Sequence, residues 1–258
     1  MKQKIRIWTL RLTATALLLL GFLVGIALNP SLLYTSNTTS DNYTIYHSSP
    51  LEKDFNSQLH KSIELIKTSE LYNSTLKLEI CLNDGSYYPT LMEKARGQAF
   101  AWGFYNKVVL MGTLNSRENY VELNGYKWNL IQLLAHEQTH CFQFNKFGLW
   151  KSNPIARYPA WKWEGYPEYV ARRNADQINL AKNVERIIET DKTDKEGWAV
   201  TFADNTVASK EYYHYWLLVQ YCLDIKKMSY ENLLKDTTSE QVVTEQMMKW
   251  FAEQNVNW

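Results

Sequence analysis

A chain of 258 residues accommodates one sizeable domain with room for two lobes. Its net charge of +1 supplies no field for nucleic acid or an acidic polymer, and its three cysteines lack the close pairing of a metal knuckle. Aromatic residues at 14% fit a well-filled core and an aromatic cleft, but they name no ligand.

Residues 1–28 read as a targeting segment. Lys2, Lys4, Arg6 and Arg11 precede residues 12–28, which carry no charge. Basic residues on the near side hold that side in the cytoplasm, so the remainder is expected across the membrane. The length fits an uncleaved signal anchor, while Gly25-Ile26-Ala27 fits a cleavage site that would release the protein as a secreted or periplasmic form. Residues 29–50, rich in Ser, Thr, Asn and Tyr and without apolar period, read as a flexible tether. Asn37, Asn42 and Asn73 match the glycosylation sequon, matches that such a composition produces by chance.

The folded domain is expected over 51–258, with an α/β part to about residue 148 and a helical part beyond it. Residues 51–71 place Phe55, Leu59, Ile63 and Ile66 at helical spacing. Residues 76–82 alternate as a strand, ended by Asn83-Asp84-Gly85. Residues 98–104 and 107–111 flank Tyr105-Asn106 and predict a hairpin. In its first strand Ala99, Ala101 and Gly103 alternate with Phe100, Trp102 and Phe104; the bare face suits either an extended peptide or close core packing at a sheet edge. Residues 115–124 are polar and read as a loop. A helix is expected over 126–145, ended by Gly148.

That helix carries His136-Glu137-x-x-His140. Positions i and i+4 lie one above the other, so two imidazoles can meet one ion. Leu130, Ile131, Leu133, Leu134, Ala135, Phe142 and Phe144 make the helix apolar nearly all round, which marks it as buried. Ionisable groups are costly there unless paired or metal-bound. The chemistry points to Zn2+ held by His136 and His140, with Glu137 placed beside the ion as general base. Residues 159–173 follow with Trp161-x-x-Glu164-Gly165 and Glu168-Tyr169. Glu164 is the candidate third ligand. Glu168, one turn on, can accept an N–H from a ligating imidazole or pair with Arg172 at i+4.

These two motifs together resemble the gluzincin metallopeptidases, the peptidase MA-like group that includes aminopeptidase N and thermolysin-like enzymes. The resemblance covers residues 107–223. It implies zinc on His136, His140 and Glu164, Glu137 as general base, and a zincin-like α+β fold: a small mixed sheet whose edge strand lines the cleft, the motif helix, and a mostly helical C-terminal lobe. The gap between the motifs is longer than in the aminopeptidases, and their amine-binding Gly-x-Met-Glu-Asn is missing; Arg117-Glu118-Asn119 only partly resembles it.

Beyond Arg173 the pattern predicts helices over 177–189, 209–226, 230–235 and 239–253, with a polar connection over 191–204 interrupted by 198–202. Ser209 can cap the second of these. Tyr212, Tyr213, His214 and Tyr215 open it; any of them could stabilise an oxyanion, and each could equally be core packing. The family resemblance favours Tyr212, which stands where the aminopeptidases carry a Tyr-x-Lys-Gly tyrosine. Cys141 and Cys222 read as packed thiols, and no disulfide of Cys81, Cys141 or Cys222 can be assigned. The expected activity is zinc-dependent hydrolysis of peptide or protein substrates, with a membrane contact through residues 12–28. The alternatives are an exported zincin-shaped binding or scaffold protein without turnover, and a zinc hydrolase of a non-peptide amide or ester.

Overall fold

The structure, a computed structural model, describes residues 2–174 and 177–255. Helix α1 (Lys2–Leu28) contains one apolar stretch, Trp8–Leu28, of 21 residues and mean hydropathy 2.0, exposed as far as Val24 and half-buried over residues 25–27. It is long and apolar enough to serve as a signal anchor or a transmembrane segment.

The chain after α1 is no tether. A 3₁₀ turn over Pro30–Leu32 leads into strands β1 (Ser36–Ser40) and β2 (Tyr43–His47), paired antiparallel. Pro30, Tyr34, Tyr43 and Ile45 are buried. The sequence hid this because β1 is an edge strand of hydroxyls and amides with no core face to reveal. The two-residue period survives only in β2, where Tyr43 and Ile45 face the core.

Helix α2 (Phe55–Ile66) buries Phe55, Leu59 and Ile66 as its spacing requires. Strand β3 (Leu78–Cys81) follows, and then a helix the periodicity did not reveal, α3 (Tyr87–Arg96). Ser86 caps it, its hydroxyl accepting the Tyr88 N–H at 3.1 Å, and only Tyr88, Pro89 and Met92 turn inward. The expected hairpin forms from β4 (Ala101–Phe104) and β5 (Lys107–Leu110), with Tyr105 at φ +54° in its turn. The sheet runs β1-β2-β3-β5-β4, with β2, β3 and β5 parallel and both outer pairs antiparallel, so β4 is an edge.

The loop reading of 115–124 is corrected by a three-stranded antiparallel meander: β6 (Thr113–Asn115), β7 (Tyr120–Leu123) and β8 (Tyr126–Asn129). Strands of three or four residues are too short to print an alternation, and only Val121 and Trp128 are buried in them. The motif helix therefore starts later than expected. It is α4 (Leu130–Phe147), capped by the Asn129 side chain on the Gln132 N–H at 3.2 Å and ended by Gly148 at φ +74°.

The C-terminal part begins with α5 (Ala160–Trp163) and α6 (Gly165–Ala171), two short helices meeting at Glu164. Next come α7 (Leu180–Thr193) and a hairpin of β9 (Ala199–Thr201) and β10 (Val207–Ser209), where a polar connection within an all-helical region was expected. Val200 and Ala208 tie that hairpin to the core. Helix α8 (Lys210–Gln220), capped by Ser209, continues into a π turn over Tyr221–Ile225, and α9 (Tyr230–Lys235) and α10 (Glu240–Asn255) complete a mixed α+β fold. Helix α4 lies at its centre, packed on β4, α2 and α6.

Candidate metal centre

The buried side chains of His136, Glu137 and His140 lie on one stretch of α4 and offer ligand atoms within 4.8 Å of one another, a group that could hold a metal ion. The two imidazoles present Nε2 to each other at 3.2 Å. From the α5–α6 junction Glu164 brings Oε2 to 3.0 Å from His140 Nε2 and 3.7 Å from His136 Nε2. These three atoms form a near-equilateral triangle. Donors at about 2.0–2.2 Å from a tetrahedral ion stand roughly 3.4 Å apart, so the triangle has the right edge length.

Two carboxylates therefore compete for the third position, and their surroundings distinguish them. Glu164 points at the Nε2 pair. Glu137 is turned about 100° away from His136 along the helix, and its carboxylate lies against Gly103 of β4. Gly103 is bare for a related reason: a Cβ there would overlap the Glu137 carbonyl. The small face of β4 thus packs on the motif helix, with Ala101 buried, while Ala99, Ala101 and Gly103 also line the cleft.

Of the two roles considered for Glu168, the pairing with Arg172 is formed, while its approach to His136 is a close contact without hydrogen-bond geometry. Its Oε1 lies 3.0 Å from His136 Nδ1, and its Oε2 accepts Arg172 Nε at 2.7 Å. Arg172 donates onward to Gln132 Oε1 at 2.8 Å, and Gln132 to Gln177 Oε1 at 2.8 Å. His140 is held from behind by Gln143, whose Oε1 is 2.7 Å from Nδ1. The Gln143 amide nitrogen donates to the Trp163 carbonyl and the Tyr230 hydroxyl, so its oxygen must accept. That places the His140 proton on Nδ1 and leaves the Nε2 lone pair facing the centre. The sequence reading missed Gln143 and Tyr230; the i+3 position of Gln143, on the same face as His140, was the available signal.

Without a metal the charges lean on one another. Burial disfavours the His136 imidazolium, yet Glu164 and Glu168 outweigh it and lift its pKa to about 10. Burial also works against the Glu164 carboxylate, which the two imidazoles nevertheless hold well below its ordinary value. Glu168 is likewise depressed, with Arg172 the main partner overcoming its burial. Glu137 goes the other way: burial pushes it up, only partly offset by the histidines. A raised carboxyl beside a metal position suits proton transfer.

The site opens into a cleft of about 500 Å³ lined by Phe100, Trp102, Trp128, Trp163, Trp198 and Tyr212, with the β4 edge along one side. Tyr212 stacks on His136, ring centres 6.1 Å apart and planes 4° apart. Burial and the nearby Glu164 push its hydroxyl pKa up, so it stays a donor. Its neighbours are engaged elsewhere: Tyr213 donates to the Asn183 carbonyl, Tyr215 to Glu211, and His214 lies 3.2 Å from the Thr244 hydroxyl. Arg96 stands at the rim, 4.5 Å above the Trp102 ring. Cys81, Cys141 and Cys222 are free thiols, all buried.

Comparison with known proteins returned no match to a family model, to a curated protein or to a solved structure.

Proposed function

We propose that this protein is a zinc-dependent metallopeptidase of gluzincin type, built on a zincin-like arrangement of edge strand, motif helix and carboxylate-bearing second helix. The observation that carries the reading is the triangle of His136 Nε2, His140 Nε2 and Glu164 Oε2, with sides of 3.2, 3.0 and 3.7 Å. Two nitrogens and one oxygen in that spacing suit zinc better than the hard, oxygen-seeking cations. When bound, zinc supplies Lewis acidity to a substrate carbonyl and to water.

The remaining work falls to the chain. Gln143 hydrogen-bonds His140, and Glu168 lies against His136 where it would support that ring once an ion is bound. Glu137 takes a proton from water as the water oxygen bonds to the peptide carbonyl carbon, and passes that proton to the amine nitrogen as the C–N bond breaks. The Tyr212 hydroxyl donates to the oxygen that gains charge. The β4 edge offers backbone groups to an extended peptide, and the aromatic walls receive its side chains. The test is metal analysis of the purified protein together with digestion of a broad peptide library. Stoichiometric zinc and cleavage that a chelator stops and zinc restores support the reading; zinc without any cleavage favours a binding or scaffold protein.

A further inference from the structure

The end of α1 and the chain just beyond it are fastened to the domain at Ala27, Leu33 and Tyr34, with Asn29 bonded back to α1. The Asn29 side chain donates to the Gly25 carbonyl, Tyr88 Oη to the Ala27 carbonyl at 2.5 Å, Ser86 Oγ to the Leu33 carbonyl at 2.8 Å, and Tyr34 Oη to the Leu82 carbonyl at 2.8 Å. Beneath them a compact apolar cluster, Tyr34, Cys81, Tyr88, Met92, Val109 and Met111, is buried. Ala27 packs on this cluster, and so does Trp102, which lines the cleft. A single set of packed side chains thus touches both the end of the apolar helix and the wall of the candidate active site.

Helix α3 gives the length of this link. Tyr88 in its first turn holds Ala27, and Arg96 in its last turn stands at the cleft rim. Ten helical residues span about 15 Å, so the rim lies within about 20 Å of the end of α1. At the junction Leu28, Leu32 and Tyr87 are exposed, Tyr87 by 80%. An apolar collar with a tyrosine, next to a helix able to span a bilayer, matches the headgroup zone.

We propose that the cleft is fixed at the bilayer surface and acts on polypeptide presented there: the juxtamembrane segments of membrane-anchored chains. The proposal rests on the metallopeptidase reading and adds its substrate class. Recognition comes from position. A segment leaving the membrane reaches the β4 edge within its first few residues, whereas one displayed far out misses a cleft that has no tether to follow it.

The experiment uses the full-length protein in phosphatidylcholine/phosphatidylglycerol vesicles. A fluorophore on Lys94→Cys, with the buried native thiols unreactive, reports energy transfer to labelled headgroups. A distance within roughly 30 Å is expected, and one beyond roughly 50 Å overturns the docking. Two probes carry the same quenched casein-derived segment on a Leu/Ala transmembrane helix, either directly or on a forty-residue helical spacer that holds it about 60 Å out. Cleavage of the direct probe is expected to be at least about tenfold faster. A variant with twenty Gly/Ser residues inserted after Leu28 should keep its activity on free casein and lose that preference. Equal rates on the two probes with the wild-type protein, or an unchanged preference in the insertion variant, overturn the proposal while leaving the peptidase reading intact. Cleavage of neither probe nor of free casein defeats the peptidase reading and this proposal with it, whatever the distance.

Discussion

His136 Nδ1 lies 3.0 Å from Glu168 Oε1, on the side of the ring opposite the Nε2 that meets His140 and Glu164. One carboxylate therefore stands behind the imidazole with one oxygen while its other oxygen holds Arg172. Replacing Glu168 by Gln should lower zinc affinity by about 10- to 100-fold. It also breaks an ion pair in which both side chains are 1% exposed, at a cost of about 3–5 kcal/mol. Chelator-competition titration separates the first effect from the second, which thermal unfolding reads.

Glu137→Gln and the ligand substitutions should part company. His136→Ala, His140→Ala and Glu164→Ala each remove a corner of the triangle and are expected to abolish stoichiometric zinc. Glu137→Gln leaves all three corners and should keep zinc while losing hydrolysis. Metal content and peptide-library digestion on the same preparations check this, and activity retained in Glu137→Gln would contradict the proton-transfer role.

Tyr212→Phe keeps the ring that stacks on His136 and removes only the hydroxyl. Loss of one oxyanion donor costs about 10²–10³ in kcat, so that fall with KM little changed is expected. Tyr213→Phe, whose hydroxyl is committed to the Asn183 carbonyl, should affect stability and leave the rate alone. Steady-state kinetics on a substrate from the library digest tells the two apart.

Proton and metal compete at His136. An imidazole held protonated in the fold adds stability fully below its ordinary 6.5, and that stability is lost as pH climbs through about 10. The depressed Glu164 and Glu168 contribute above their ordinary 4.5 and lose it as pH falls. The metal-free protein should therefore become less stable from about pH 6.5 upward. Because zinc needs the neutral imidazole, its affinity should rise over the same window and offset the loss. Melting curves across that range with EDTA and with zinc read both trends.

Gly103→Ala puts a methyl group against the Glu137 carbonyl. Forcing β4 and α4 apart is expected to cost about 1–3 kcal/mol and, on the peptidase reading, to weaken hydrolysis by shifting Glu137. Denaturant titration and library digestion measure the two consequences; an unperturbed protein would show that this contact is looser than the geometry implies.

The residues whose chemistry is local were legible in the sequence. His136, Glu137 and His140 are fixed by helical spacing alone, and Gly148 ended the helix as its backbone freedom suggests. Glu164 and Glu168 needed the second motif, and the separation between the two helices follows from tertiary packing that no window of sequence contains. The strands β6 to β10 were lost to their shortness. Residues 29–50 were misread because a strand of Ser, Asn and Thr carries the same composition as a tether, and only its partner β2 shows why it is ordered. Gln143 and Tyr230 escaped because an amide and a phenol look like ordinary polar residues until they are seen behind His140.

The five-stranded sheet has unlike margins. β1 presents Ser36-Asn37-Thr38-Thr39-Ser40, a margin crowded with hydroxyls, whereas β4 borders the cleft with its main chain. On the peptidase reading, a guest strand would find the cleft on the β4 flank alone, so the two margins of one sheet would have unlike duties.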